Sequence, residues 1–470
     1  MSVSDHVTPG CWRYGSDRMR RIFMEEGKWQ RALDVEAALA TAEAEIGIFP
    51  ADHARAIAAK ANTTVVTPDA IDIRENGPKG IRHDIMAMVQ LLTEALGEPA
   101  GDFVHLGATS YCIEDNRQAM QMRDAAAIIA EMLVEFGKAL KSKAIQYRLL
   151  AALGRTHTQP AEIITMGFKF ANHLYDIILD IMMWRFLQGG FILGKPMNGA
   201  VGTSASYVHL AGKEGATKIA ELVMSRLGIN PALITNQIVT RKSHAFVASG
   251  LASIAMTCYK FAQEFYHLGR PEIGEVLPRK LDIGKVGSSA MPHKAAFPND
   301  IDGENVMGNA RIVKNLAVTA WDDIPTIHER TLDNSAAERT WVPLAFLYTE
   351  EVLARCIKKL GSLVVVEPRI QENLEAFSWY TFTEPLMMEL VKRGLGRQQA
   401  HHLLQVFVVD YRTSGETKSP VSILMGMPEI SSRVTTEDIA RIHEEHKGDL
   451  GMAPECVDKV VQAFDMIITV

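Results

Sequence analysis

Residues 115–147 read DNRQAMQMRDAAAIIAEMLVEFGKALKSKAIQY, and this stretch decides the fold. Met, Ile, Leu and Phe recur along it at the three- and four-residue spacing of one helix face. A helix this long buries its apolar stripe best by bundling with others, often across subunits. The methionines on that stripe read as core, because an unbranched thioether fills gaps between helices. The same periodicity returns on either side: residues 161–187, 206–227, 241–268 and 303–322 read as further long helices, and another runs to about residue 360. Shorter helices are expected at 35–46, 54–61, 85–96 and 435–445. Residues 69–80 hold Asn76, Gly77, Pro78 and Gly80 and read as a loop. No strand alternation of any length is evident. The expectation is an all-α protein of three helical domains: residues 1–112, a central long-helix bundle at 113–365, and residues 366–470.

The totals exclude several classes. Lys and Arg number 49 against 56 Asp and Glu, a net charge of −7, so a broad basic face for nucleic acid is not expected. The cysteines Cys11, Cys112, Cys258, Cys356 and Cys456 are scattered and odd in number, which disfavours a disulfide framework and favours a reducing compartment. The N-terminal stretch is polar, unlike a signal peptide. The apolar run at 245–259 is too short and too interrupted for a membrane span and reads as a buried helix. A cytoplasmic protein is expected. The glycine-rich segment 189–202 lacks Gly-Lys-Ser/Thr and a preceding strand, so it is not a phosphate-binding P-loop; His443-Glu444-Glu445-His446 lacks zinc-peptidase order and reads as a solvated helix face.

Several polar segments interrupt the helices. Gly284-Lys285-Val286-Gly287-Ser288-Ser289-Ala290-Met291-Pro292-His293-Lys294 suits a lid that carries a hydroxyl and a cation onto an anionic substrate, or else an ordinary exposed loop. Arg82-His83-Asp84 enters a helix, where an anion is favoured, though simple capping by Asp84 explains it too. Gly107-Ala108-Thr109-Ser110 is a tight turn with two hydroxyls, fit for a carboxylate or a plain helix cap. His157 lies in the polar stretch Gly154-Arg155-Thr156-His157-Thr158-Gln159-Pro160, a better setting for a proton carrier than an apolar helix face. Glu329-Arg330 and Ser335-Ala336-Ala337-Glu338-Arg339 bracket another helix entrance, where two arginines suit an anion or a surface salt bridge.

Taken in order, these segments resemble the fumarase/aspartase superfamily, whose signature loop reads Gly-Ser-Ser-x-Met-Pro-x-Lys. Arg13-Tyr14, Arg82-His83-Asp84, Gly107 to Ser110, Thr156-His157, Thr235-Asn236-Gln237, Gly287 to Lys294, and Glu329-Arg330 through Glu338-Arg339 carry the resemblance along nearly the whole chain. Members acting on argininosuccinate, fumarate and aspartate share the loop at Ser288. The Arg-His-Asp and Glu-Arg segments point to the branch acting on succinylated purine nucleotides. The resemblance implies β-elimination of fumarate from adenylosuccinate, giving AMP, and from succinylaminoimidazole carboxamide ribotide. It implies Ser288 as general base, His157 as general acid, Lys294 as the cation at the growing carboxylate charge, and Glu304 as the group orienting His157. Arg13, Tyr14, Arg82, His83, Asp84, Gln237, Arg330, Ser335 and Arg339 would bind the nucleotide, and Thr109 and Ser110 the succinyl carboxylates. It implies no metal or organic cofactor, and a homotetramer whose sites are shared between subunits. One departure stands out. The family reads x-Asn-Pro after its lysine, whereas this chain reads Lys294-Ala295-Ala296-Phe297-Pro298-Asn299, so the asparagine is displaced or its role falls to Asn299. That departure leaves open a related lyase acting on another succinyl-amine. A non-catalytic member is the remaining alternative, and the joint presence of Ser288, His157 and Lys294 argues against it.

Overall fold

A computed structural model describes residues 12–282 and 288–469 of the 470-residue chain; Cys11 and Gly284 to Gly287 lie outside the described residues. The described residues are 69% helical, which bears out the all-α reading. Its helices are α1 Asp17–Phe23, α2 Glu25–Glu45, α3 Ala51–Lys60, α4 Pro68–Asn76, α5 Asp84–Leu96, α6 Ser110–Gln146, α7 Met166–Gly190, α8 Ala205–Leu227 and α9 Arg241–Leu268. After these come α10 Ile301–Asp322, α11 Asp333–Ser362, α12 Glu367–Thr381, α13 Thr383–Lys392, α14 Arg397–Thr413, α15 Pro420–Met425, α16 Pro428–Ser431, α17 Thr436–Lys447 and α18 Ala453–Thr469.

Three local expectations are corrected. Residues 68–76 form a helix rather than a loop. The Thr67 hydroxyl accepts from the Ala70 N–H and Pro68 opens the first turn, while Gly77 acts only as the C-cap. Residues 151–165 form a hairpin of β1 Ala151–Thr156 and β2 Gln159–Thr165, so α7 begins at Met166 rather than Ala161. A register shift between Leu153 and Arg155, and Pro160 in the second strand, blur the two-residue alternation that would have marked the hairpin. His443 and His446 are buried, not solvated: His443 stacks on Trp379 with ring centroids 3.8 Å apart, and His446 Nε2 lies 3.0 Å from Thr381 Oγ1. Burial, and then Lys447, push His443 down to about 4, which keeps that imidazole neutral. No group of three or more metal-ligating side chains occurs among the described residues.

The described chain groups into two units. One takes Met1–Phe136, Leu179–Ala262 and Asp302–Ile357; the other takes Gly137–Ile178, Gln263–Ile301 and Lys358–Val470. The first unit is built on aromatic and aliphatic side chains from α6, α7, α9 and α11, with Trp184, Trp341, Phe136 and Phe346 essentially without exposure. Burial of each such side chain is worth about 1.5–3 kcal/mol. The two indoles also find acceptors, Trp184 Nε1 donating to the Ala126 carbonyl at 3.0 Å and Trp341 Nε1 to Asp323 at 2.8 Å. α9 is the one helix among the described residues with the length and hydropathy of a membrane span. Its Leu251, Ile254, Cys258 and Phe261 are fully buried, as core residues are. In the second unit Phe170 stacks on Phe265 at 4.9 Å, and Phe382, Leu386, Leu390, Phe407 and Ile439 make a separate apolar cluster among the C-terminal helices.

Candidate active site

In the first unit a polar pocket forms where the heads of α5, α6 and α11 meet. One cavity of about 310 Å³ is lined by Arg82, His83, Asp84, Ser110, Tyr111, Arg330, Ser335 and Arg339, together with Glu75, Ile85, Glu114 and Leu332. A second cavity of about 450 Å³ shares Asp84, Tyr111, Glu114, Ser335 and Arg339 with it. Both volumes fit a small-molecule site. Seven of the residues expected to bind substrate, remote in sequence, are therefore neighbours.

Local geometry explains each placement. His83 is the N-cap of α5, its Nδ1 accepting from Met86 N–H at 3.3 Å, so Asp84 is the first helical residue and not the cap. Asp84 instead accepts from its neighbour Ile85 N–H at 2.7 Å and faces Arg339 at 3.7 Å. Arg82 adopts a left-handed backbone, φ 59°, uncommon for a side chain of its size. Ser110 opens α6, and the next residue, Tyr111, is buried under the Arg330 guanidinium, which lies 3.6 Å from the ring centroid. The Tyr111 hydroxyl is hydrogen-bonded to Ser335, and burial holds it above the usual phenol range. Arg330 Nη1 donates to Gln237 Oε1 at 2.8 Å, while its buried Nε has no partner.

Guanidinium groups and carboxylates balance in the lining of the smaller cavity, Arg82, Arg330 and Arg339 against Glu75, Asp84 and Glu114, but they are not all paired with one another. Glu114 is tied to Arg117, whose Nε donates to it at 2.9 Å, and Asp84 faces Arg339. Arg82 and Arg330 make no ion pair among the described residues, leaving two guanidinium groups for an incoming anion.

The pocket rests on a buried ion cluster that the sequence reading missed. Arg241, the first residue of α9, donates to Glu338 of α11 at 2.6 and 3.1 Å and to Asp115 of α6 at 2.9 Å. Asp115 also accepts from Val239 N–H at 2.6 Å, and Glu338 from Asn334 Nδ2 at 3.0 Å. All three charged groups are nearly unexposed. Such a cluster adds little net stability over apolar packing, but losing one member strands a buried charge at a cost of about 3–5 kcal/mol.

Other expected residues lie elsewhere. Tyr14 packs on Tyr348 at 5.3 Å, and Gly15 and Ser16 are held by Glu351 and Glu350. Tyr348 is thirteen residues along α11 from Ser335, about 20 Å of helix, so Arg13 and Tyr14 lie outside the lining of either cavity. Thr109 precedes α6, its carbonyl accepting from Cys112 N–H at 2.8 Å. Glu304 is in the first turn of α10 on an exposed face.

In the second unit His157 sits at the tip of the β1–β2 hairpin. Thr156 pairs with Gln159, so His157 and Thr158 form a two-residue turn with φ 52° and 66°. A turn with both residues in the left-handed region matches the strand twist but is normally filled by Asn-Gly; His and Thr there store strain. The turn end of the hairpin is fixed by Arg155, which donates to Glu275 at 2.5 and 3.1 Å, and Glu275 also accepts from Asn373 at 2.9 Å. Ser288 Oγ accepts from the N–H groups of Ala290 and Met291 at 3.3 and 3.1 Å. Lys294 Nζ donates to Asn299 Oδ1 at 3.3 Å, so the displaced asparagine is a partner of that lysine. Phe297 is more than half exposed.

Comparison with known proteins agrees with this architecture. A family profile described as Lyase matches residues 12–313. The adenylosuccinate lyase of Pyrococcus abyssi is 38% identical over 455 residues, 97% of each chain, and that of Methanothermobacter thermautotrophicus is 37% identical over 97% of this chain and 98% of its own. Among solved structures, the 3-carboxy-cis,cis-muconate lactonizing enzyme of Pseudomonas putida superposes with a TM-score of 0.83 at 26% identity, covering 97% of this chain and 98% of that one. A fumarate lyase of Mesorhizobium sp. BNC1 gives 0.83 at 27% identity, covering 95% and 98%. The chain belongs to the lyase family of the fumarase/aspartase superfamily. Within that family, the curated relatives named above, matched over nearly their whole length, are adenylosuccinate lyases.

Proposed function

We propose that this chain is a carbon–nitrogen lyase that eliminates fumarate from adenylosuccinate, leaving AMP, and from succinylaminoimidazole carboxamide ribotide in purine biosynthesis. The observation that carries the reading is the end-to-end match to adenylosuccinate lyases at up to 38% identity. The pocket at the heads of α5, α6 and α11 offers an anionic substrate the guanidinium groups of Arg82 and Arg330, which make no ion pair among the described residues.

In the reaction a base removes the Cβ proton of the succinyl group. Its electrons form the fumarate double bond as the Cα–N bond breaks, and the nitrogen leaves with that bond pair and a proton. Ser288 is the base in this proposal. The two N–H groups donating to its Oγ favour the alkoxide over the neutral hydroxyl. Lys294 offsets the negative charge that grows on the adjacent carboxylate, a placement that stabilises the transition state more than the ground state. His157 protonates the departing nitrogen, and Glu304 orients it. Arg82, His83, Asp84, Gln237, Arg330, Ser335 and Arg339 bind the nucleotide, with Arg13 and Tyr14 supplied by another subunit. Thr109, Ser110 and Asn299 hold the succinyl end. The assembly is a homotetramer in the cytoplasm. Supporting it, Leu179, Met182 and Phe186 follow one another on a single exposed face of α7, and Cys112, Cys258, Cys356 and Cys456 are unbridged.

Purified protein given adenylosuccinate should release fumarate, read by absorbance. Ser288→Ala should lower kcat by about 100-fold or more, the usual worth of a positioned base. Fumarate from a non-purine succinyl-amine alone would reassign the substrate. Undiminished turnover by Ser288→Ala would remove that residue from the chemistry.

A further inference from the structure

Lys195 is wholly buried and has no carboxylate within ion-pair distance among the described residues. Its ammonium instead spends all three N–H donors on neutral oxygens: Asn198 Oδ1 at 2.5 Å, the Gly199 carbonyl at 3.0 Å and the Asn236 carbonyl at 3.1 Å. A buried cation is tolerated only when every donor is met, and main-chain carbonyls are the acceptors that shape a loop. These three acceptors belong to two segments that run side by side. Leu193-Gly194 pairs in parallel with Asn230-Pro231, and Asn198 Nδ2 donates to Thr235 Oγ1 at 2.7 Å. At Gly202, φ 84°, a Cβ would come within 2.0 Å of the Thr235 carbonyl, so the glycine is needed for this close approach. The glycine-rich segment that failed as a phosphate loop thus forms a bed for residues 235–237.

The bed is anchored to the pocket. Asn116 of α6 grips the Lys195 backbone on both sides, accepting from its N–H at 2.9 Å and donating to its carbonyl at 2.8 Å. Tyr111 and Ser110 lie at the head of that helix. On the other side, Asn236 precedes Gln237, whose Oε1 accepts from Arg330, and Gln237 N–H donates to the Glu329 carbonyl at 3.3 Å. Each step from α6 to Arg330 is therefore a covalent or hydrogen-bonded link through Lys195.

We infer that Lys195 is a positioning residue of the active site, its ammonium clamping residues 235–237 against the head of α6 and so setting Gln237, and through it Arg330, for the substrate. The inference rests on the reading that Gln237 and Arg330 bind the succinyl-nucleotide. Lys195 acts through these two groups and touches no reacting atom.

The test is Lys195→Met, which keeps the length and removes the donors. With adenylosuccinate as probe, KM should rise by about 10-fold or more while kcat stays within about 3-fold, the signature of lost binding rather than lost chemistry. Gln237→Ala should do the same. The double variant should show well below the product of the two effects, because both act on one contact chain. Thr235→Val, which removes the hydroxyl held by Asn198, should give a smaller change of the same sign and serves if the lysine variant folds poorly. Independently of turnover, amide hydrogen exchange at 236–239 should quicken by about 10-fold in Lys195→Met while the core of α9 stays protected. That readout survives even if the wild-type protein proves inert on adenylosuccinate, which would sink the substrate reading instead. An unchanged KM, effects that simply multiply, or exchange quickened throughout the unit would each overturn the inference.

Discussion

Glu43 is a carboxyl that the fold keeps neutral. It is fully buried in α2, neither oxygen has a hydrogen-bond partner, and burial first, then neighbouring Glu36, push it up to about 9. Glu36 meanwhile lies 2.7 Å from His105 Nδ1; burial opposes the imidazolium, but the carboxylate outweighs it and holds His105 above its ordinary range. For Glu43 the folded protein binds a proton that the unfolded chain has released, so stability must fall as pH rises from about 4.5 towards 9. Glu43→Gln, a neutral mimic, should therefore be more stable than wild type at pH 8 by about 1–3 kcal/mol, with the two converging near pH 4. Denaturant melts at both pH values would show it; equal stability at pH 8 would mean Glu43 is ionised in the fold. Residues of this kind were illegible in the sequence. Glu43, Lys195 and Arg241 are charged, and a reading that places charges on solvated faces has no signal for a buried one until its partners are known. By contrast, Arg82, Ser110, Arg330 and Ser335 were marked in advance by the family resemblance of polar segments at helix starts, where position alone also allowed a cap or a surface salt bridge, and the structure brings them to one cavity.

The long helices were legible for the opposite reason. Residues 241–268 carry enough turns for a 3.6-residue period to stand out, and the boundaries of α9 match the expectation. The β1–β2 hairpin was not, because each strand is only six or seven residues long and a register shift breaks its alternation. Yet that hairpin is the element that holds His157. Its turn forces Thr158, a β-branched residue, to φ 66°, a conformation costing about 1–2 kcal/mol for a residue other than glycine. Thr158→Gly should relieve that strain and raise the melting temperature, while loosening the turn enough to lower kcat about tenfold through misplacement of His157, the proposed acid. A variant that melts lower would show the turn to be unstrained.

At the scale of the molecule, the all-helical class followed from periodicity, whereas no single sequence could say which helix faces remain open. The apolar row Leu179, Met182 and Phe186 is such a face, with Phe186 two-thirds exposed. A homotetramer would cover it. The protein should sediment at about four times 51.9 kDa. Phe186→Asp, at a site too exposed to disturb the protomer core, should yield smaller species with unchanged helicity and, on the proposed sharing of sites between subunits, at least tenfold less activity. A fully active monomer would exclude shared sites.

One guanidinium, Arg241, joins the heads of α6, α9 and α11 beneath the pocket. Changing any one member of that knot strands a buried charge. Evolution or a designer retuning this scaffold for a bulkier amine would find the floor unyielding and would have to work at the rim, exchanging Arg82, His83 or Leu332 one by one. Breadth of substrate choice in such a scaffold is a matter of interchangeable fittings around an immovable seat.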